Sequence, residues 1–359
     1  MRIRSVVVLI LVFGTLAACV SVRQGGGGFG GPGGSSGPGG ASGAPGSASF
    51  ASVQPDLVFV DSTLGEQSEQ AAGTGVVLTS SGEVLTNNHV IEGATNVQVT
   101  DAGTGHTYTA TVAGYDRSRD VALLRLQGAR NLPTATLDTS AQPSIGDRVA
   151  SVGNAGGTGS LAVAPGTITA LNQSITASDQ SSGSAEQLTG LIQVRAQVRP
   201  GDSGGPLVNS AGRVIGITTA AGSTYQFHSR GGTTAGFAIP IGTAPGIGRQ
   251  IAAGRASQTV HVGPTGQLGL EITGTSAGMD SAGGGAAVAG VLPGEPAQAA
   301  GLAEGDVITS LDAAPVDSPT TLIALIDRDR PGQSVEIGWT DGTGRSRTAT
   351  VTLAVGPAG

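Results

Sequence analysis

The sequence predicts a mainly β protein built as two successive β-barrels, with a smaller module behind them. Three observations predict it. Apolar residues fall in short runs such as Leu57-Val58-Phe59-Val60 and Val121-Ala122-Leu123-Leu124, with no long stretch at the 3.6-residue spacing of an amphipathic helix. Glycine, 62 of 359 residues, punctuates those runs where strands must turn. Only 12% of residues are charged, which suits barrels made with many tight turns. The length sets a prior of about two domains.

The chain opens with Met1-Arg2-Ile3-Arg4, an apolar stretch from Ser5 to Ala18, and Leu16-Ala17-Ala18-Cys19, the layout of an export signal over residues 1–19. That apolar stretch is too short to span a bilayer comfortably. The Leu-Ala-Ala-Cys run resembles the lipobox of bacterial lipoproteins, which implies a lipid on Cys19 and attachment to a membrane; an ordinary secretory signal is the other reading. Residues 20–49 are a Gly/Ser/Pro linker expected to be disordered, of which residues 24–49, with almost nothing to bury, are expected to span roughly 25–30 Å. A first barrel is expected over 50–145, with strands near 57–60, 74–78, 84–87, 96–100, 107–114 and 121–126. A second is expected over 146–240, with strands near 148–152, 164–171, 191–195, 206–208, 213–219 and 235–239. Residues 241–264 read as a connection with a short helix near 244–251.

The chemistry concentrates in Val198-Arg199-Pro200-Gly201-Asp202-Ser203-Gly204-Gly205-Pro206-Leu207. Glycine at 201 lets the backbone approach a reacting carbonyl, so the amides of Gly201 and Ser203 are candidates for an oxyanion hole beside a Ser203 nucleophile. The same residues spell Gly-x-Ser-x-Gly, but a nucleophile elbow needs a helix next. Here the serine turn leads into two apolar runs around Ala211-Gly212, a hairpin. The acid and histidine lie upstream instead. His89 stands where a strand gives way to a loop in Leu85-Thr86-Asn87-Asn88-His89, and Asp120 opens the strand Val121-Ala122-Leu123-Leu124. The order His, Asp, Ser is that of the chymotrypsin-type double barrel. His106, His228 and His261 lack such a frame and read as surface or loop histidines.

Missing residue types exclude other chemistries. There is no lysine, which removes Ser-Lys dyads, Schiff bases and Walker-type phosphate loops. The single cysteine is Cys19, so disulfide and Cys-zinc frameworks find no support, and no His/acid cluster suggests a metal. No cofactor is expected. A net charge of -7 without a basic patch argues against nucleic acid as a partner.

Thr74-Gly75-Val76-Val77, Thr86-Asn87-Asn88-His89-Val90, Asp120-Val121-Ala122-Leu123-Leu124 and Pro200-Gly201-Asp202-Ser203-Gly204-Gly205-Pro206-Leu207 together resemble the motif set of the HtrA/Deg family of trypsin-like serine proteases. With Val260-His261-Val262-Gly263-Pro264, the resemblance is nearest to the actinobacterial PepA-type members and covers roughly residues 50–356. It implies a chymotrypsin-like double β-barrel protease domain followed by a C-terminal α+β PDZ domain over 265–356. By residue it implies His89 as general base, Asp120 as its orienting acid, Ser203 as nucleophile, and Gly201 and Ser203 as the oxyanion hole. Thr219, Ala220 and Ala221 would pair with the substrate backbone and wall a small apolar specificity pocket. Many members carry an acid where Arg195 stands and an asparagine where Arg199 stands, so this chain departs from the pattern beside the pocket. Leu268, Gly269 and Leu270 would offer amides to a peptide C-terminus lying between a strand edge and a helix near 319–327. The resemblance further implies unfolded or misfolded polypeptides as substrates and a homotrimer, to which the segment Pro55–Val60 would contribute. The rival from another class is an inactive scaffold that grips chain ends.

Overall fold

A strand that is apolar on both faces needs a core on each side, and two adjoining barrels supply both. A computed structural model describes residues 56–64, 69–178, 185–219, 235–273 and 284–358. Strands β1 (Leu57–Leu64), β2 (Glu69–Val77), β3 (Glu83–Thr86), β4 (Ala94–Asp101), β5 (Thr107–Asp116) and β6 (Val121–Leu126) run in the order β5-β4-β1-β2-β3-β6. Pairing of β5 with β6 closes the ring. Val58, Val60, Val84 and Leu124 share one core cluster, while the alternate positions Leu57, Leu85 and Leu123 belong to another. A second closed barrel has the order β10-β11-β12-β9-β8-β7, from β7 (Arg148–Gly153), β8 (Ala162–Ser178), β9 (Ala185–Arg195), β10 (Pro206–Asn209), β11 (Val214–Thr219) and β12 (Ala235–Pro240). Val149, Leu207 and Ile215 fill its own cluster. Ala150, Val152, Val208 and Ile217 join Leu57, Leu85 and Leu123 in the cluster common to both barrels. Each such valine, leucine or isoleucine contributes roughly 1.5–3 kcal/mol when fully buried, so this shared layer fixes one barrel against the other.

Every strand expected for the two barrels is present, and several are longer than their apolar runs, β8 and β9 most of all. β8 and β9 continue as a hairpin arm in which Ile175 pairs opposite Leu188 amid Asn172, Gln173 and Thr176. Alternation, rather than an apolar run, marks that arm. In β1 the side chains of Leu57, Val58 and Val60 are completely buried in the chain's own cores.

The connection after the second barrel is structured. α1 (Ala244–Ala252) buries Ile247 and Ile251 in the shared cluster, and Gly248 packs close to Leu85 and Leu123. β13 (Val260–Val262) then pairs antiparallel with β5, setting His261 opposite Tyr115.

The C-terminal module begins with β14 (Gly266–Gln267) and β15 (Leu270–Thr273), followed by β16 (Ala286–Val291), α2 (Pro296–Ala300), β17 (Val307–Leu311), β18 (Ala314–Pro315), α3 (Pro319–Ile326), β19 (Ser334–Thr340), β20 (Ser346–Thr352) and β21 (Ala354–Val355). Its sheet has the order β15-β16-β17-β19-β20, which leaves β15 at an edge. Ser318 caps α3 by accepting from the Thr321 amide at 3.2 Å, and Pro319 fits the first turn because its missing N–H costs nothing there. Trp339, Ile308, Ile337 and Leu322 form the core.

Candidate active site

Asp120 is placed by a tight turn. Buried Asp116 ends β5 and accepts from the Arg119 amide and from the Ser118 hydroxyl, holding one turn of 3-10 helix over Arg117–Arg119. The chain leaves that turn at Asp120 with φ 52° and ψ 49°, a left-handed conformation that aspartate tolerates better than most residues. The buried carboxylate then gathers three donors. Oδ1 accepts from the His89 amide at 3.0 Å, His89 Nδ1 lies 2.9 Å from Oδ2, and the Thr219 hydroxyl donates to Oδ2 at 2.5 Å. Asn87 holds the Asp120 carbonyl from the other side, at 2.8 Å. With the acid on Nδ1, the neutral imidazole carries its hydrogen there and presents Nε2 as an acceptor.

Ser203 sits where the second barrel meets this pair. Its carbonyl accepts from the Thr74 amide of β2 at 2.8 Å. A Cβ on Gly73 would stand 2.5 Å from Val90 and 3.2 Å from the Ser203 carbonyl, so the residue after His89 and the Ser203 turn converge on one backbone position. Gly204 has φ +83°, and a side chain there would collide with the Thr74 carbonyl and the hydroxyl of Thr86, the last residue of β3. Only glycine lets the serine turn come this close. The hairpin read after Ser203 is β10 and β11, and the residue ending β11 is Thr219, which reaches Asp120.

The turn also orients its amides. Gly201 has φ +95° and its Cα packs against the Asn154 carbonyl. The Pro200 carbonyl accepts from the Gly156 amide at 2.7 Å, and the Asp202 carbonyl accepts from the Gly205 amide at 3.0 Å. A trans peptide points its N–H opposite its C=O, so the amides of Gly201 and Ser203 face away from those bonds. Among the described residues neither donates to a backbone oxygen. Such a pair can bind a developing negative charge. The Thr74 hydroxyl locks the turn, donating to the Gly201 carbonyl at 2.7 Å while accepting from the Asn154 amide at 2.9 Å.

Asp202, buried beside Ser203, accepts from the Arg199 amide through Oδ2, while Oδ1 has no hydrogen-bond partner among the described residues. Burial pushes its carboxyl up to about 6, against the opposing pull of the Arg199 amide and charge. A raised acid favours the folded state when protonated. Its stabilising contribution is therefore fully present below the unfolded value near 3.8 and is lost as pH rises through about 6. The melting temperature of the wild type is expected to drop more than that of Asp202→Asn between about pH 4 and pH 7.5. Parallel melting curves for the two proteins across that window would show Asp202 to be electrostatically silent.

Other sequence-predicted residues fall into place unevenly. Thr219 is fully buried with its hydroxyl on Asp120, so its side chain supports the acid, and its main chain alone is left for a substrate. Ala220, Ala221, His228 and Cys19 lie outside the described residues. Leu268, Gly269 and Leu270 lead into β15, and Gly269, at φ +74°, leaves no room for a Cβ against Glu295. A concavity of about 290 Å³ opens there between β15 and α3. His261 is buried and structural, stacked on Tyr115 with ring centroids 4.9 Å apart. No cluster of His, Cys, Asp or Glu suited to a metal occurs among the described residues. Sequence reasoning missed the supporting roles of Thr74 and Thr219; Thr74 was visible only as the first letter of Thr-Gly-Val-Val.

Comparison with known proteins agrees with this architecture. Residues 73–217 match the trypsin-like peptidase domain, and residues 266–353 match the PDZ domain. The chain is 32% identical over 318 residues to the serine protease PepD of Mycobacterium tuberculosis, covering 84% of this chain and 64% of that protein. It is 34% identical over 277 residues to the periplasmic pH-dependent serine endoprotease DegQ of Escherichia coli, covering 75% of this chain and 56% of DegQ. The chain thus spans somewhat less than two thirds of the length of these relatives. Among solved structures, the HtrA-type protease AlgW with a tripeptide matches at 30% identity over 87% of this chain and 98% of that one, with a TM-score of 0.48. The chain belongs to the HtrA/Deg family of trypsin-like serine proteases and carries one PDZ domain.

Proposed function

We propose that this protein is an exported serine endopeptidase of protein quality control, which cuts unfolded or exposed polypeptides and selects chain ends through its PDZ groove. The observation that carries the reading is the Asp120 carboxylate, which joins His89 of one barrel to Thr219 of the other directly beside the Ser203 turn. In the reaction, His89 takes the hydroxyl proton as Ser203 Oγ bonds to the carbonyl carbon of the substrate. The amides of Gly201 and Ser203 hold the oxyanion. Collapse expels the amine, which leaves with the proton from His89, and a water activated by the same imidazole hydrolyses the acyl ester.

The finer parts of the proposal rest on sequence. Residues 1–19 carry the export signal, Cys19 takes the lipid, and residues 20–49 tether the enzyme to the outer face of the membrane. The domain division at about 50–240, 241–264 and 265–356 and a homotrimeric assembly belong to the same proposal. Relatives named as periplasmic proteases support the exported location.

A fluorophosphonate probe tests the chemistry. The purified protein is expected to be labelled at Ser203 and to digest reduced, unfolded casein faster than a folded protein of similar size. Absence of labelling together with undiminished capture of unfolded chains would favour the scaffold reading instead.

A further inference from the structure

Among its described lining residues the PDZ groove holds one cation, and the PDZ domain does not supply it. Leu270 and Ile272 from β15 and Leu322 and Ile326 from α3 make apolar walls suited to the last side chain of a peptide. A chain end also brings a carboxylate. The stretch from Thr265 to Thr273, which would receive that carboxylate, holds no arginine and one acid, Glu271. Among the groove's described lining residues the only basic one is Arg117, from the 3-10 turn of the first barrel.

Arg117 is held there by acids. Its Nε lies 2.9 Å and its Nη2 3.4 Å from the two oxygens of Asp327, at the C-terminal end of α3, and its Nη1 donates to Glu92 at 2.9 Å. Asp327 lines the same groove. A guanidinium is a flat fork, and its Nε/Nη2 edge fits one carboxylate side-on. Asp327 therefore occupies the fork in the manner of a ligand. It has a second donor to fall back on, because the Tyr115 hydroxyl reaches it at 3.0 Å and burial raises the tyrosine, keeping it protonated.

We propose that Arg117 is a binding residue of the PDZ groove: it pairs with the C-terminal carboxylate of a peptide whose last side chain is apolar, taking the place of its own bond to Asp327. The groove is then a composite of two domains, with apolar selection from one and charge recognition from the other. This rests on the reading of the groove as a receptor for chain ends.

The test uses the full-length protein and a fluorescein-labelled peptide ending in valine, made with a free C-terminus and as the C-terminal amide, with affinity read by anisotropy. Arg117→Gln is expected to weaken the free acid about tenfold and to leave the amide nearly unchanged, in line with loss of one charge-assisted hydrogen bond. Asp327→Asn, which leaves the arginine in place and removes its competitor, is expected to tighten the free acid several-fold. That gain should vanish in the double variant. An acid-to-amide ratio in Arg117→Gln equal to the wild-type ratio overturns the assignment. So does a gain from Asp327→Asn that survives removal of Arg117, since it would reflect relief of repulsion alone. Weakening of acid and amide alike in both single variants would make the pair a strut between domains. If the wild type binds neither peptide, the chain-end reading itself fails, which is distinct from binding that ignores Arg117.

Discussion

Ser203→Ala is expected to lower kcat/KM on unfolded substrates by roughly six orders of magnitude without lowering the melting temperature. Removing the nucleophile of a Ser-His-Asp site costs about that much, because the acid and base have nothing left to activate. The fold should be indifferent. The ties that hold Ser203 in place are made by main chain: its carbonyl to the Thr74 amide, and its neighbour Gly204 to the Thr218 carbonyl. Initial rates on casein, with a melting curve for each protein, measure both quantities. A loss below about a hundredfold, with the fold intact, would remove Ser203 from the role of nucleophile.

The second large effect is expected from Asp120→Asn, about ten-thousandfold in kcat. Both carboxylate oxygens of Asp120 accept hydrogen bonds, from the His89 amide and ring on one side and from Thr219 on the other. An asparagine has one acceptor and one donor group. If its oxygen keeps the His89 amide, its NH₂ faces the ring nitrogen and turns that nitrogen into an acceptor. The hydrogen then resides on Nε2, where it cannot take the proton of Ser203. Fluorophosphonate labelling should slow in parallel with hydrolysis, since both need the same tautomer. Normal labelling with slow hydrolysis would place Asp120 in a later step and contradict this account.

Much of this was legible because runs such as Val121-Ala122-Leu123-Leu124 are apolar at every position, the mark of strands serving two cores at once. The His89, Asp120 and Ser203 settings were legible for the same reason: each lies at the end of such a run, or on a turn beside one, where a side chain can be rigid and still reach a cleft. What escaped detection depends on contacts between distant parts of the chain. Thr219 reads as an ordinary strand residue until the barrels bring it to Asp120, 99 positions away. Arg117 and Asp327, 210 positions apart, carry no local signal that they share a groove. The segment 241–264 reads as a connection because Gly242, Pro245 and Gly254 interrupt it, yet Ile247, Ile251 and Val260 are enough to dock it.

That return segment has a practical meaning for modularity. With Val260–Val262 hydrogen-bonded along the end of β5 that leads through Asp116 to the Asp120 turn, the connection stays bound to the first barrel up to Val262. Thr259 even bonds the Asp116 carboxylate at 3.1 Å. An excised protease that stops at Pro240 would bare the flank of that strand and the seats of Ile247 and Ile251, so a transplant of this enzyme onto another recognition module has to carry the whole tail with it.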